Sequence, residues 1–532
     1  MKNILSLFLV LLSGISFGCN KDEESPSEGT LKVVSGLTAD NTLEVSALTT
    51  EAAFYVMTPL QPAVVSTVDW MSASASSPNN ITGVSTITVK LTQNEDTLSD
   101  REGMLIISSG NNSLEIPVIQ SKAITNDGPQ PAPGGESPAH SPWLNPEPCE
   151  IGGDNAREVA LSLGVGWNLG NQMDAFSNGF SSETAWGNPA ATQALFDALK
   201  SHGFSTVRIP VTWLGHIGDA PEYKIDEAWL NRVVELVNMA ERAGLNAIVN
   251  MHHDGADSKH WLDIKSAATN ANKNEEIKRE ITALWTQIAE AMKDKGNFLM
   301  FEAFNEIHDG GWGWGGNRTD GGKQYQCLNE WNQAFVKAVR ATGGNNATRW
   351  LSVPSYVTNI DLAVGGDMVI PFDQANRVMV SVHFYDPNDF ALTSIVTDWG
   401  HTGDKSKKGS VVQDEDYIKS QFAKLTNYFV DKGIPVYIGE HGPSNQATAR
   451  GKAFRNYYLE YMCRAAREAG LSTIYWDNGY VGTGTDKFGL FNHGSGDVIN
   501  NSEETINAMI LGGTCRDEDY NLDYIYENAP VF

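Results

Sequence analysis

The chain has 532 residues, of which 41% are hydrophobic and 19% are charged, so it is long enough for two or three domains with sizeable cores. These proportions argue against a globally disordered protein. The net charge of −27 argues against nucleic acid as a partner, because polyanions are bound through Lys and Arg contacts to phosphate, and it suits a neutral or cationic ligand.

Residues 1–18 are interpreted as an export signal: a short basic start precedes an apolar run that is too short for a comfortable membrane span and ends just before Cys19. This ending resembles the signal of bacterial lipoproteins, with Cys19 as the lipidated residue, although Ser16 stands where Leu is usual. Residues 19–30 would form a tether, and their acidic start, NKDEES, resembles the tag of Bacteroides-type surface lipoproteins. We therefore expect an exported protein anchored by lipid in the outer leaflet of the outer membrane; the alternative is an ordinary secreted protein.

Residues 31–122 predict a small immunoglobulin-like β-sandwich. Short alternating runs, such as AAFYVMT, STITVKLTQ and SLEIPVIQ, are separated by Asn, Gly, Ser and Asp. Trp70, the Arg101-Glu102-Gly103 segment and the segment 117–120 resemble landmarks of the BACON domain of bacterial surface enzymes. We find no acid/base or metal-binding pattern in this stretch. A spacer that lifts the next domain off the membrane is one interpretation, and a carbohydrate-binding role is the alternative.

A Pro-, Gly- and Ser-rich linker is expected over residues 123–148, and residues 149–532 form the second predicted domain. Eight strand-like runs recur there and alternate mostly with segments of helical period, which predicts a (β/α)8 TIM barrel. No clear helix is indicated between the fifth and sixth runs. The runs cover residues 164–170, 205–211, 246–252, 297–306, 349–354, 378–385, 434–442 and 472–479.

Five glycines are predicted to end helices just before the next strand, because glycine adopts the left-handed backbone of a helix end at little cost. They are Gly203, Gly244, Gly296, Gly433 and Gly470.

Seven of the eight runs carry polar or aromatic residues in or directly after their carboxyl-terminal parts, and a barrel of this kind gathers such residues at its carboxyl-end rim. One polar residue at a strand end is more often solvated or ion-paired than catalytic, but a set from seven strands is hard to explain by chance. The set comprises Asn168, Arg208, His252, His253, Asn305, Glu306, His383, Tyr385, Glu440 and Trp476.

Two members of this set, Glu306 and Glu440, are carboxylates on the fourth and seventh strands. Cleavage of a glycosidic bond needs one neutral carboxyl to protonate the leaving oxygen and one ionised carboxylate to meet the sugar carbon. Arg208 is expected to keep Glu440 ionised, and Tyr385 to donate a hydrogen bond to it. A carboxyl separation of about 5 Å would indicate the retaining route, in which Glu306 acts first as acid and then as base.

Together these residues resemble glycoside hydrolase family 5, and the segments GWNLGNQMDA, TAWGNP and YWDNG resemble its subfamily 4 of endo-β-1,4-glucanases and xyloglucanases. The resemblance covers about residues 155–512. It implies that Glu306 is the acid/base and Glu440 the nucleophile, that Asn305 binds the sugar 2-hydroxyl and that Trp476 stacks under the sugar at the cleavage point. Ile307 departs from the family, where Pro commonly follows the acid.

Aromatic residues favour a sugar ligand independently, because the C–H faces of sugar rings pack on indole. The segment HDGGWGWGG places Trp312 and Trp314 on a glycine-rich loop directly after Glu306. For each of these two residues, packing onto the barrel rim is an equal alternative. Trp186 and Trp213 are weaker candidates of the same kind.

No metal or cofactor is expected. Adjacent His252 and His253 should point to opposite faces of a strand, and no HExxH pattern, nucleotide-binding glycine loop or Gly-x-Ser-x-Gly elbow is present. Hydrogen bonding to substrate by the two histidines is the preferred interpretation. Cys149 and Cys515 lie near the two ends of the second domain, and both a disulfide and free thiols remain open.

The sequence thus predicts a cell-surface, retaining endo-β-1,4-glucanase, with neutral xyloglucan as the expected polysaccharide partner. Within the same enzyme class the alternative is a mixed-linkage β-glucanase, a cellulase or a β-mannanase. An alternative from another class is a surface glycan-binding lipoprotein that has lost catalysis; the presence of both glutamates and Arg208 argues against it.

Overall fold

The computed structural model describes residues 31–35, 37, 41–45, 51–58, 60–78, 84–94, 96, 99–120, 122, 149–255, 260–409 and 411–532. The predicted signal, the lipidation site Cys19, the tether and the linker over 123–148 lie outside the described residues. Among the described helices, none combines the length and the apolar character needed to cross a bilayer.

The amino-terminal region forms two four-stranded sheets, ordered β1-β3-β6-β5 and β2-β8-β7-β4. Neighbouring strands are antiparallel except for β2 and β8, which are parallel. Apolar side chains from both sheets, among them Phe54, Ile87, Leu105 and Ile116, are fully buried between them, which is the packing expected of a sandwich. The strands are β1 Lys32–Ser35, β2 Leu43–Val45, β3 Glu51–Met57, β4 Ala63–Ser66, β5 Met71–Ala75, β6 Val84–Leu91, β7 Arg101–Ser109 and β8 Asn112–Gln120.

The second region is a closed barrel of eight parallel strands, which confirms the predicted (β/α)8 fold. Strand β9 pairs with both β12 and β18, and this pairing closes the barrel. A two-stranded hairpin, β10 Phe176–Ser177 and β11 Phe180–Ser181, follows the first barrel strand. The barrel strands are β9 Val165–Leu169, β12 Thr206–Ile209, β13 Asn246–Val249, β14 Leu299–Glu302, β15 Leu351–Pro354, β16 Val378–Phe384, β17 Val436–His441 and β18 Ser472–Asp477.

Helices surround the barrel, and the connection from β15 to β16 holds only a four-residue helix, as the sequence indicated. Helix α3 illustrates how side chains and glycines set the ends of these helices. Asp226 caps its first turn by accepting from the Trp229 N–H, and Gly244, with φ 71°, ends the helix. The helices are α1 Ala156–Leu161, α2 Gln193–Ser201, α3 Glu227–Ala243, α4 Ile264–Thr269, α5 Ala271–Ala291, α6 Lys323–Ala341, α7 Ile360–Ala363, α8 Asn388–Ala391, α9 Glu415–Tyr428, α10 Ala449–Ala469, α11 Glu503–Thr514 and α12 Leu522–Glu527.

The predicted glycine helix ends are confirmed at Gly203, Gly244, Gly433 and Gly470, which all have positive φ. The prediction is wrong for Gly296, because α5 ends five residues earlier at Ala291 and Met292 provides its cap. Inside the barrel, Ile248, Met300 and Tyr437 pack with residues that precede the first barrel strand. These side chains fill the interior of the barrel below its rim, which is formed by the carboxyl ends of the strands.

Candidate active site

Glu306 and Glu440 face one another at the carboxyl-end rim. Strand β14 ends at Glu302, so Glu306 lies on the loop that follows, whereas Glu440 lies within β17. One oxygen of each carboxylate lies within 4.8 Å of the other and of a His383 ring nitrogen. The Glu440 side chain is 7% exposed and that of Glu306 is 21% exposed. The distance fits the short carboxyl separation of retaining glycosidases.

Arg208 is the centre of the hydrogen bonds below this pair. Its guanidinium is fully buried; Nη1 donates to Glu440 Oε1 at 2.8 Å and Nε donates to Glu302 Oε2 at 2.7 Å. The pKa of Arg208 is lowered by burial but raised more strongly by Glu302 and Glu440, so the net shift is upward. The guanidinium therefore keeps its charge and holds a fixed positive group against Glu440.

Two asparagines complete the contacts of Arg208. Asn168 Oδ1 accepts from Nη1 and Asn305 Oδ1 accepts from Nη2, both at 2.9 Å. Asn168 is fully buried, and its Nδ2 lies within hydrogen-bond distance of three backbone carbonyl oxygens, including that of Gly439 at 2.9 Å. Asn168 thus supports Arg208 and does not reach a substrate. The contact from Arg208 to the Asn305 oxygen turns the amide nitrogen of Asn305 away from the guanidinium.

Glu302 was not recognised from the sequence as part of the site. Its carboxylate is fully buried and accepts hydrogen bonds from Arg208, from Asn250 Nδ2 at 3.0 Å and from the Tyr437 hydroxyl at 2.9 Å. Burial raises the pKa of Glu302, but Arg208, Ser381 and His383 together lower it by more, so the net shift of the pKa is downward and the group is ionised. The available signal was a lone glutamate in the otherwise apolar run FLMFEAF. Buried charges need partners, so such a residue indicates a buried cation nearby.

His252 is oriented by the same network. Asn250 Nδ2 lies 3.3 Å from His252 Nδ1, which can accept from it, and His252 Nε2 lies 3.8 Å from Glu440 Oε1. Burial, with the charges of His253 and Arg208, lowers the pKa of His252. His252 is therefore a neutral imidazole whose Nε2 carries the proton toward Glu440.

Glu306 is held by two neighbours. Its Oε1 lies 2.8 Å from His383 Nδ1 and 3.5 Å from the Thr358 hydroxyl, which donates its shorter hydrogen bond to the Val357 carbonyl at 2.7 Å. Val357 and Thr358 both have positive φ, an uncommon backbone for non-glycine residues that is found most often at functional sites. No clear helix is predicted for this stretch, and the turn with positive φ that precedes α7 brings the Thr358 hydroxyl near the carboxylate.

Burial raises the pKa of both glutamates, but neighbouring groups give the two pKa values net shifts in opposite directions. For Glu440, His383 and Arg208 lower the pKa but the charge of Glu306 adds to the effect of burial, and the net shift is upward. For Glu306, the His383 hydrogen bond and the charges of His383 and His308 outweigh burial, and the net shift is downward. These shifts run opposite to the predicted roles, in which Glu306 holds the proton and Glu440 is the carboxylate, so those roles stay a prediction; Arg208, whose charge is permanent, is the group that favours the carboxylate form of Glu440.

Tyr385 and Trp476 border Glu440 on the rim. The Tyr385 hydroxyl donates to Glu440 Oε2 at 3.1 Å. Trp476 stacks on His252, with ring centroids 5.7 Å apart and planes 8° apart. A Cβ on Gly170 would lie 2.8 Å from the Trp476 ring, so glycine at that position makes room for the indole.

A wall of rings continues from Trp476 along the cleft. His252 and His253 are in T-shaped contact at 4.4 Å, and the His253 ring lies 6.0 Å from that of Phe176 and 5.6 Å from that of Trp186. The expectation that the two histidines point to opposite faces of a strand is wrong, because β13 ends at Val249 and both lie on the following loop.

The glycine-rich loop after Glu306 exposes both predicted tryptophans. Trp312 is 57% exposed and Trp314 is 82% exposed, so neither is buried against the barrel. The loop is fixed by the Asp309 carboxylate, which accepts from the N–H groups of Gly311 at 3.0 Å and Asn317 at 3.3 Å. The Trp312 ring contacts the His308 ring at 4.2 Å and the Arg318 guanidinium lies 4.6 Å from the Trp314 ring, so the loop that follows Glu306 in the chain presents ring surface to solvent. Trp213, in contrast, is fully buried, so its candidacy as a sugar contact is wrong.

Two groups of side chains among the described residues have donor atoms close enough for a cation: Glu306, His383 and Glu440, and Asp174, His252 and His253. Glu306, His383, Glu440 and His252 take part in the hydrogen bonds and close ion pairs described above. The His253 Nε2 atom lies 3.7 Å from Asp174 Oδ2. The absence of a metal requirement stays a prediction. Cys149 and Cys515 are both free thiols, so the open question of a disulfide is answered in favour of free thiols.

The chain is similar to known proteins. The family model for cellulase (glycosyl hydrolase family 5) matches residues 170–482. A GH5-4 broad-specificity endoglucanase from Bacteroides salanitronis is 57% identical; the match covers 71% of this chain and all of that chain, with a TM-score of 0.68. Endoglucanase A of Paenibacillus barcinonensis is 37% identical over 67% of this chain and 90% of its own length. A Bacteroides ovatus GH5 xyloglucanase, solved with a XXXG heptasaccharide, is 28% identical over 91% of this chain and all of its own, with a TM-score of 0.61.

The family match covers more than half of the chain, and it falls on the barrel that carries both rim glutamates. This chain belongs to glycoside hydrolase family 5, among the endo-β-glucanases.

Proposed function

We propose that the protein is a retaining endo-β-1,4-glucanase whose preferred substrate is xyloglucan. The single observation that carries the retaining mechanism is the placement of the Glu306 and Glu440 oxygens within 4.8 Å of one another.

In the first step Glu440, kept ionised by Arg208 and oriented by the Tyr385 hydroxyl, attacks the anomeric carbon of the sugar stacked on Trp476. Glu306 gives its proton to the leaving glycosidic oxygen, so that the C–O bond breaks as the bond to Glu440 forms. Asn305, held by Arg208, donates to the sugar 2-hydroxyl.

In the second step Glu306, now ionised, takes a proton from water, and the resulting hydroxide attacks the same carbon and releases Glu440. His383 beside Glu306 stabilises its ionised form between the two steps. Neither of these two proposed steps uses a cofactor.

Endo action on a polymer needs a cleft that is open at both ends. We assign the exposed rings of Trp312 and Trp314, on the loop after Glu306, to one end of this cleft, and the rings of His253, Phe176 and Trp186 to the other end. The choice of xyloglucan is supported by the names of relatives, among them the B. ovatus xyloglucanase. A second candidate, broad specificity for β-glucans, is favoured by the 57% identity to the B. salanitronis endoglucanase.

Initial rates on xyloglucan, barley β-glucan, carboxymethylcellulose and galactomannan, measured in parallel, test the proposal. We expect the highest rate on xyloglucan, and Glu306→Ala and Glu440→Ala should lower it by several orders of magnitude while both variants stay folded. Equal rates on the first three polymers would favour broad specificity, and turnover of galactomannan alone would refute both candidates.

We further propose that Cys19 carries a lipid that anchors the protein on the cell surface, with the β-sandwich between membrane and barrel. The proposal is tested by expressing the full chain and Cys19→Ser in the same bacterial host. The parent should sediment with membranes and be cleaved by protease added to whole cells, whereas Cys19→Ser should be soluble. Membrane sedimentation of Cys19→Ser would refute the anchor.

A further inference from the structure

The β-sandwich contacts the barrel at one side of the cleft. Tyr55, on β3, is buried, and its ring lies 5.4 Å from Phe180 and 5.4 Å from His216, in edge-on geometry with both. The hydroxyl of Thr86, on the neighbouring strand β6, donates to Asp226 Oδ2 at 2.8 Å. Asp226 is also the N-cap of α3, so the sandwich is attached to a rigid part of the barrel.

Phe180 belongs to the hairpin β10–β11, whose two faces are distinct. Phe176 pairs with Ser181 and Ser177 pairs with Phe180, and consecutive pairs in an antiparallel ladder project to opposite faces. Phe176 therefore lies on one face, against Trp186 and His253, and Phe180 lies on the other, against Tyr55.

The hairpin has little stability of its own. Each strand has two residues, and the turn is Asn178-Gly179 with φ of 53° and 80°, the left-handed geometry of a tight hairpin turn. An isolated two-stranded hairpin is marginal in water, so its position depends on what packs against it.

The barrel holds β11 on one side. The Ser181 N–H donates to the Leu214 carbonyl, and His216 Nε2 donates to the Ser181 carbonyl at 2.8 Å. His216 is stacked on Trp229 at 4.3 Å, with planes 1° apart. The outer face of Phe180 is covered by Tyr55, the one aromatic residue of the described sandwich that contacts a ring of the barrel.

We propose that the β-sandwich positions the cleft wall: by packing on Phe180, Tyr55 holds the hairpin so that Phe176 lies beside His253 and Trp186. Tyr55 is a positioning residue that touches no substrate itself. The sandwich then contributes to the binding of long glucan chains as well as acting as a spacer. This inference rests on the proposed function only in taking a β-glucan as the substrate.

The test compares kcat and KM of the full-length parent, Tyr55→Ala and Tyr55→Phe on oligosaccharides of increasing length from whichever β-glucan the parent hydrolyses. We expect Tyr55→Ala to raise KM roughly two- to tenfold for chains long enough to reach Phe176. Its KM for the shortest cleaved substrate and its kcat should stay at the parental values. Tyr55→Phe keeps the ring and should match the parent.

Val65→Ala, on the exposed face of β4 in the other sheet, is the matched control and should also match the parent. Thr86→Val removes the other contact and should raise KM in the same length-dependent manner by a smaller factor; it serves as the test if Tyr55→Ala does not fold. Phe180→Ala should raise KM as well, and adding Tyr55→Ala to it should change KM no further, because Tyr55 acts through Phe180.

A parental KM at every length for Tyr55→Ala and Thr86→Val would overturn the inference. A loss of kcat that is equal for short and long substrates would also overturn it, because that pattern indicates general damage. Failure of the proposed function is distinguishable, since it would be seen in the parent as an absence of β-glucan hydrolysis.

Discussion

The buried carboxylate Glu302 offers a test of the charge network below the cleft. In Glu302→Gln the new amide oxygen can still accept from Arg208 and Asn250, and its NH2 group can donate to Tyr437, whose hydroxyl can reverse. The substitution thus removes one negative charge with little change in shape. Arg208 would then keep Glu440 as its sole anionic partner.

The size of the expected loss of stability follows from the 2.7 Å ion pair between Arg208 and Glu302. Coulomb's law with an effective dielectric constant of about 20 gives an attraction of about 6 kcal/mol. Because the hydrogen bonds and the second anion remain, we expect the net loss to be about 3–5 kcal/mol, as for a broken buried pair. At about 2 °C per kcal/mol for a large domain, Tm should fall by roughly 6–10 °C. Without the ion pair to Glu302 the guanidinium is held less firmly against Glu440, which should lower kcat/KM roughly 10- to 100-fold.

Scanning calorimetry and initial rates on the preferred glucan measure both effects. Glu280→Gln is the matched control: Glu280 is also buried, on α5 and away from the cleft, and burial raises its pKa to about 7. This control should keep the parental activity and should not lower Tm, because it removes a charge that burial disfavours. If Glu302→Gln kept the Tm and kcat/KM of the parent, the assignment of Glu302 as the anchor of Arg208 would be refuted.

Three further predictions concern the rim. His383→Ala removes a group that lowers the pKa of both Glu306 and Glu440, so both limbs of the pH profile of kcat/KM should move to higher pH; an unchanged or downward alkaline limb would contradict this sign. Trp314→Ala should raise KM for polymer several-fold with kcat kept, and unchanged KM in steady-state assays would remove Trp314 from the cleft. Asp309→Ala, which frees the loop, should reproduce the KM effect of Trp314→Ala and increase local hydrogen exchange over the loop; a parental exchange rate would argue against Asp309 as its anchor.

Strand order and the rim set were readable from the sequence because apolar runs of a parallel barrel are buried on both faces and end in polar residues. The first strand run of the barrel, for example, shows this pattern directly, with Asn168 near its end. Glu302 and Asn250 were not readable in this way, because each lies within or directly beside an apolar run. Their role follows only from the position of Arg208 in the folded barrel. Charge partners more than 40 residues apart leave no local pattern.

Backbone detail was the other limit of sequence reasoning. The two histidines were placed on β13, but the strand is shorter than its apolar run, so both rings come together on a loop. Thr358 lies near Glu306 because of a turn in which Val357 and Thr358 have positive φ. Neither is a glycine or an asparagine, the residue types that usually predict such a turn. Trp213 and Trp314 are the same residue type on loops beside the rim, yet one is fully buried and the other 82% exposed, which depends on packing and not on local sequence.

The central claim is that Glu440 forms a covalent bond to the sugar while Glu306 transfers protons. Inactivation with an activated 2-deoxy-2-fluoro glycoside of a β-1,4-glucan disaccharide, followed by peptide mass spectrometry, measures this directly. The account predicts a single glycosyl adduct on the peptide that carries Glu440, with the mass of that adduct lost from the Glu440→Ala variant. An adduct on Glu306, or steady turnover of the fluorosugar with no adduct on any peptide, would contradict it.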